Sequence, residues 1–260
     1  AERLYGRALS LAPAHQEALV GLGVLMVRTG RGPAAMKRLQ RAQRDSPASP
    51  GPLRAIAVLI RISGYLELGE RYFLGLLGEL DGTAVPYVRL GLAELYAAMG
   101  RKRSLLAELA ELEEHPGAEL LCQALLWMEA GDPGGLLRLA GRADGSLRHT
   151  ACGMACELQS KWQDPSAHHY EASLVEPPTW ICLNALAAMW LNCGDMAKCR
   201  HYLEHATALA PMAAEVQLTR SRYLMAQGYR EDARLLLQRL SGAPGNFAKL
   251  RQVAGNLLRA

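Results

Sequence analysis

Apolar residues recur along most of this chain at steps of three and four, the spacing that builds one face of a helix. Leu19, Leu22 and Met26 form one such stripe; Ala35, Leu39 and Ala42 form the next. Gly30-Arg31-Gly32-Pro33 predicts a break between them, because glycine accepts a left-handed helix cap and proline favours a helix start. Ser46-Pro47 ends the second stripe. Glu17 to Asp45 therefore reads as two antiparallel helices. Gly23 and Ala35 are expected where the two helices touch, with Leu22 and Leu39 filling the space between them. Each leucine contributes about 1.5–3 kcal/mol when fully buried.

This pair of helices is repeated. Gly30, Gly64, Gly100, Gly131, Gly194 and Gly228 each follow an apolar stretch, at intervals of 34, 36, 31, 63 and 34 residues. The interval of 63 holds two units if the turn near Trp162 lacks its glycine. Pro13 and Pro47 lie 34 apart, and Pro178 and Pro211 lie 33 apart. A period in this range is the mark of a solenoid. The one strand-like stretch, Ile56 to Ile62, falls where the period demands a first helix.

The unit Leu19, Leu22, Gly23, Met26, Ala35, Leu39, Ala42 and Pro47 resembles a tetratricopeptide repeat, whose pattern is W-L-G-Y…A-F-A-P over 34 residues. Leu22, Gly23, Ala35, Ala42 and Pro47 match outright, while Leu19, Met26 and Leu39 replace aromatics with other apolar residues. Leu186, Ala187, Trp190, Gly194, Cys199, Leu203, Ala206 and Pro211 form another good copy, and partial copies surround Gly100 and Gly228. Ala1, Tyr5, Ala8 and Pro13 resemble the second helix of a preceding unit. The resemblance implies an all-α, right-handed α-solenoid (superhelix) of about seven helix pairs, forming one domain over residues 1–260. Residues 131–178 are its degenerate middle, with a shortened second helix from Gly134 to Ala143, and 247–259 is a terminal helix.

The resemblance also implies what the surfaces do. Arrays of this family are not catalytic in themselves; their first helices line a concave face that takes a peptide or a helix. Carrying the family's groove positions over gives Val20, Val24, Val27 and Arg28, then Arg54, Val58, Arg61, Leu90 and Glu94. Further along, it gives Leu121, Leu125, Met128, Asn184, Ala188, Leu191, Asn192, Leu218, Arg222 and Met225. Arg28, Arg61 and Arg222 are expected to orient acidic groups of a ligand. The expected role is a non-catalytic protein-interaction scaffold or adaptor. The alternative is the recognition arm of a larger enzyme of the glycosyl- or sulfotransferase type, and self-association through open solenoid ends is a further expectation.

Composition narrows the partner class. The chain is 50% apolar and 21% charged, which excludes intrinsic disorder. Its longest charge-free stretch, Pro177 to Gly194, opens with two prolines and carries Asn184 and Asn192, so no membrane span is expected. The sequence opens on Ala1-Glu2-Arg3 without an apolar leader or an initiator Met, which reads as a piece of a longer or processed chain. Six cysteines are too sparse for a disulfide scaffold. A cytoplasmic location is expected, with the bacterial periplasm or cell envelope as the alternative.

Other constellations carry weaker chemistry. His201 and His205 share a helix face, and His168 and His169 fall on the preceding second helix, but no carboxylate or thiolate stands at matched spacing to complete a metal site. Cys152 and Cys156 are four apart and read as idle thiols; Cys199 fills a small core slot. Lys37, Arg38, Arg41 and Arg44 form a basic stripe without interleaved aromatics, which argues against nucleic acid. No phosphate loop, H-E-x-x-H, G-x-S-x-G or CxxC motif is present, so neither a catalytic residue nor a cofactor is expected.

Overall fold

The computed structural model describes residues 2–47, 49–80, 82–113, 119–159, 174 and 178–259. The fold is all-α: among the described residues there are fifteen α-helices and no strand. The chain divides into two compact units, Ala1–Ala118 with Pro244–Phe247, and Glu119–Ala243 with Ala248–Ala260.

The first unit contains α1 (Glu2–Leu11), α2 (Gln16–Arg28), α3 (Gly32–Asp45), α4 (Pro50–Ser63), α5 (Leu66–Glu79), α6 (Val85–Met99) and α7 (Lys102–Glu113). Each helix packs on its successor, and α2, α4 and α6 also pack on one another in that order. This is the contact pattern of stacked hairpins, with first helices forming one layer and second helices the other. Ile56 to Ile62, strand-like in composition, lies inside α4. Burial of the apolar stripe overrides the modest β preference of its side chains.

The second unit contains α8 (Leu120–Ala130), α9 (Pro133–Arg142), α10 (Gly145–Leu158), α11 (Trp180–Asn192), α12 (Met196–Leu209), α13 (Ala214–Ala226), α14 (Arg230–Gly242) and α15 (Ala248–Arg259). Helices α8, α9 and α10 pack together, as do α11, α12 and α13. The terminal helix α15 packs on α14 and α13. The shortened helix expected near Gly134 is α9. Trp162, His168 and His169 lie outside the described residues.

The glycine rhythm has a direct backbone cause. All six periodic glycines have φ between 70° and 86°, a left-handed conformation that a Cβ penalises. Side chains close the opposite ends. The Thr179 hydroxyl accepts the Cys182 N–H, and the Asp195 carboxylate accepts the Lys198 N–H. These caps satisfy donors that the first helical turn leaves without partners.

Gly23 faces α3 as expected, but the tightest approaches lie at other glycines. A methyl group at Gly23 would sit 3.7 Å from Leu39 and from Leu59, an ordinary contact. The tight positions are elsewhere: a Cβ at Gly69 would meet Ile60 at 2.4 Å, and one at Gly91 would meet Phe73 at 2.6 Å. At Gly51 it would meet the Ala14 carbonyl oxygen at 2.1 Å. In this unit, therefore, the small residues serve packing between successive hairpins at least as much as packing within one.

In the second unit Glu129 on α8 accepts the Lys249 backbone N–H of α15 at 2.8 Å, capping that helix through its side chain. Burial pushes the Glu129 carboxyl above its ordinary value, against the pull of the Lys249 N–H bond. A raised folded-state value means the folded chain holds this proton more tightly than the unfolded chain. Stability contributed by Glu129 is therefore full below the ordinary carboxylate value and is lost as pH rises through the raised one. Thermal melts of the wild type and Glu129→Gln across that interval should show a shallower loss of stability with rising pH in the variant. Identical slopes would contradict this assignment.

Candidate functional site

The first-helix face of α2 is a part of the predicted groove that the structure leaves accessible. Val20, Val24 and Val27 are half-buried and Arg28 is exposed. Their spacing puts all four on one side of the helix. On α8, Leu121 and Leu125 are likewise half-buried, one turn apart.

Of the corresponding positions of α4 and α6, Val58 and Arg61 are half-buried, while Arg54, Leu90 and Glu94 are placed in the interior. Leu90 is 0% exposed and Glu94 only 1%. The Glu94 carboxylate stands between two guanidinium groups of α4: it accepts from Arg54, and Arg61 Nε lies 3.3 Å from its other oxygen. Arg54 and Arg61 are seven residues apart, two turns, so both reach the same point on α6. Arg61 also stands over the Phe247 ring at 5.5 Å, a cation–π contact. A Cβ at Gly245 would be 3.2 Å from the Ile62 backbone, so Pro244–Phe247 lies directly against the end of α4. Arg61 therefore takes part in this internal cluster. Leu90 and Glu94 belong to the packed interior, not to an open wall.

In the second unit several of the remaining predicted positions are engaged within the protein, while Met128 and Ala188 are half-buried and Met225 is exposed. Leu191 is buried. Asn192 accepts a hydrogen bond from Arg222 at 2.6 Å, which occupies both side chains. Leu218 packs against the cluster of Leu237, Leu240, Leu250 and Ala254. Asn184 is half-buried, and its side-chain oxygen has no hydrogen-bond partner among the described residues.

Sequence reasoning missed a cleft in the first unit. It has a volume of about 630 Å³ and lies where the ends of α2 and α4 meet the starts of α3 and α5. Val27, Pro33, Met36, Leu59, Ile60, Tyr65, Leu68 and Tyr72 line it. Tyr65 is 65% exposed and Leu68 56%. Burial pushes the Tyr72 hydroxyl above its ordinary value, so this phenol stays neutral at physiological pH. The signal was present in the sequence: Tyr65 and Leu68 are apolar residues beyond the stripe that the repeat needs for its core.

The remaining clusters are chemically quiet. The His201 and His205 rings lie 4.5 Å apart, tilted by 58° and both exposed, and among the described residues no group of three side chains is arranged to hold a metal. Cys152 and Cys156 carry free, half-buried thiols, and burial pushes that of Cys152 above its ordinary value, away from thiolate reactivity. Cys199 is fully buried as a small core side chain. No described helix is long and apolar enough to cross a membrane.

Residues 1–59 match the family model of the tetratricopeptide repeat. The structure is similar to that of a tetratricopeptide repeat protein from Parabacteroides merdae ATCC 43184, with a TM-score of 0.53 at 20% identity. That likeness covers 94% of this chain and 97% of the other, and it establishes a common fold. Among curated proteins, none matches this sequence.

Proposed function

From the tetratricopeptide-repeat match of residues 1–59 and the shared fold, we propose that this chain is a non-catalytic interaction scaffold whose first unit receives an apolar or amphipathic segment of a partner protein. Repeats of this kind generally mediate protein–protein interaction. The observation that carries the finer reading is the cleft beside the α2 face. Two large apolar side chains, Tyr65 and Leu68, stand more than half exposed at an apolar-lined opening that already has a defined shape. Exposed apolar patches of this kind mark contact sites. A receptor surface held by packed helices loses little ordering entropy on binding.

The α2 face supplies the adjoining wall: Val20, Val24 and Val27 give apolar contact, and Arg28 supplies a charge at its end. Leu68→Glu places a charge in the opening without disturbing the core, since Leu68 is exposed. Partner capture should fall at least about tenfold, the effect of losing roughly 1.4 kcal/mol at an apolar contact, with an unchanged far-ultraviolet circular dichroism spectrum. Val24→Asp should act in the same direction. Undiminished capture by both variants would remove the cleft and the α2 face from the binding surface.

A further inference from the structure

A second surface of the first unit has different chemistry. The cleft between α1 and α3 has a volume of about 560 Å³ and an apolar floor containing Leu9, Leu19 and Ala42. One rim is basic, formed by Lys37, Arg38 and Arg41 of α3, all exposed. Charge is concentrated around it. Residues 2–47 carry eight basic and three acidic side chains, a net +5, against +4 for the whole chain. All three acids already have a basic neighbour: Glu2 pairs with Arg31 at 2.9 Å, Asp45 with Arg41 at 3.7 Å, and Glu17 lies 3.2 Å from His15. Lys37 and Arg38 form no ion pair among the described residues. An apolar trough whose edge is positive on balance, with Asp45 offsetting Arg41 and with Lys37 and Arg38 unpaired among the described residues, is complementary to a segment that is apolar on one side and acidic on the other.

We propose that the α1–α3 cleft is a second docking site, distinct from the Tyr65–Leu68 opening, and that it takes an acidic amphipathic helix of a partner protein. Lys37 and Arg41 are one turn apart, which matches carboxylates at the same spacing on a helix laid along α3. Each such pair lies at a rim, where it sets register and association rate more than affinity. Apolar side chains of the incoming helix cover the floor. A nucleic acid fits less well: no aromatic side chain lines the cleft for base stacking, and the floor offers phosphates nothing.

The test uses the whole chain and a fluorescent helical peptide with leucines on one face and glutamates on the other. Controls are the same peptide with glutamine for glutamate and a single-stranded oligonucleotide of equal negative charge. Binding is read by anisotropy. The peptide should bind saturably, and raising salt from about 50 to about 300 mM should weaken it about tenfold. The triple variant Lys37→Gln, Arg38→Gln, Arg41→Gln should also lose about tenfold, and the glutamine peptide should lose a similar factor. All three substituted residues are exposed, and circular dichroism verifies the fold. Leu68→Glu should leave this binding unchanged, which separates a failure here from a failure of the first site. Absence of saturable peptide binding, equal binding by the triple variant, or tighter binding of the oligonucleotide would each overturn the proposal.

Discussion

Glu94→Ala should destabilise the first unit by about 3–5 kcal/mol, the usual result of removing one member of a buried ion cluster. Arg54 and Glu94 are nearly inaccessible, at 8% and 1% exposure, and Arg61 is half-buried. Without the carboxylate, two guanidinium groups approach the same interior point, and their desolvation is no longer offset by the attraction that Glu94 supplied. Glu94→Gln should fall between wild type and alanine, because the amide oxygen still accepts a hydrogen bond while the opposite charge is gone. Replacing Arg54, Arg61 and Glu94 together by Met, Met and Leu should cost far less than Glu94→Ala, because no orphaned charge remains. Urea unfolding followed by circular dichroism measures all three. A loss below about 1 kcal/mol for Glu94→Ala would show that the cluster is solvated rather than interior.

Trp127→Ala in the second unit should cost about 3–5 kcal/mol. Trp127 is 2% exposed, and a Cβ at Gly135 of α9 would meet its ring at 2.2 Å, so α8 and α9 close directly over the indole. The Arg138 guanidinium stands 5.4 Å from the ring centroid on one side. The indole N–H has no hydrogen-bond partner among the described residues. Trp127→Phe therefore gives up packing volume but no hydrogen bond, and should cost clearly less than alanine. Equal losses for the two variants would mean that an indole hydrogen bond, not ring packing, holds α8 to α9. Gly135→Ala should destabilise by about 1–3 kcal/mol through overpacking at the same contact.

Periodicity made much of the fold legible before any coordinates. Glycine at Gly30, Gly64, Gly100, Gly131, Gly194 and Gly228 is dictated locally, by a backbone that must turn left-handed, so sequence alone locates those turns. The short α9 was legible for a similar reason, since Pro133 and Ala143-Asp144-Gly145 bound it. Close contacts between helices, within a hairpin and between hairpins, were not. Gly51, Gly69, Gly91 and Gly135 meet residues from other helices or from a preceding turn, and no local pattern reveals which side chain arrives opposite.

The candidate site was legible only in part. The α2 positions lie on one accessible face, as a helical period requires. Glu94 and Arg61 carry the same residue types that a ligand-binding wall would carry. Only their mutual approach across α4 and α6, forty and thirty-three residues apart from Arg54 and Arg61 to Glu94, reveals an internal cluster. The Tyr65–Leu68 opening escaped notice because it forms at the hairpin ends, off the stripe that the repeat pattern tracks.

The most direct test is selection of peptides from a random displayed library on this chain, with the bound site mapped by hydrogen–deuterium exchange. The account predicts enrichment of apolar or amphipathic sequences that protect residues 20–28 and 59–72 and that Leu68→Glu rejects. Selected peptides that protect neither stretch, or that bind Leu68→Glu as tightly as wild type, would contradict it.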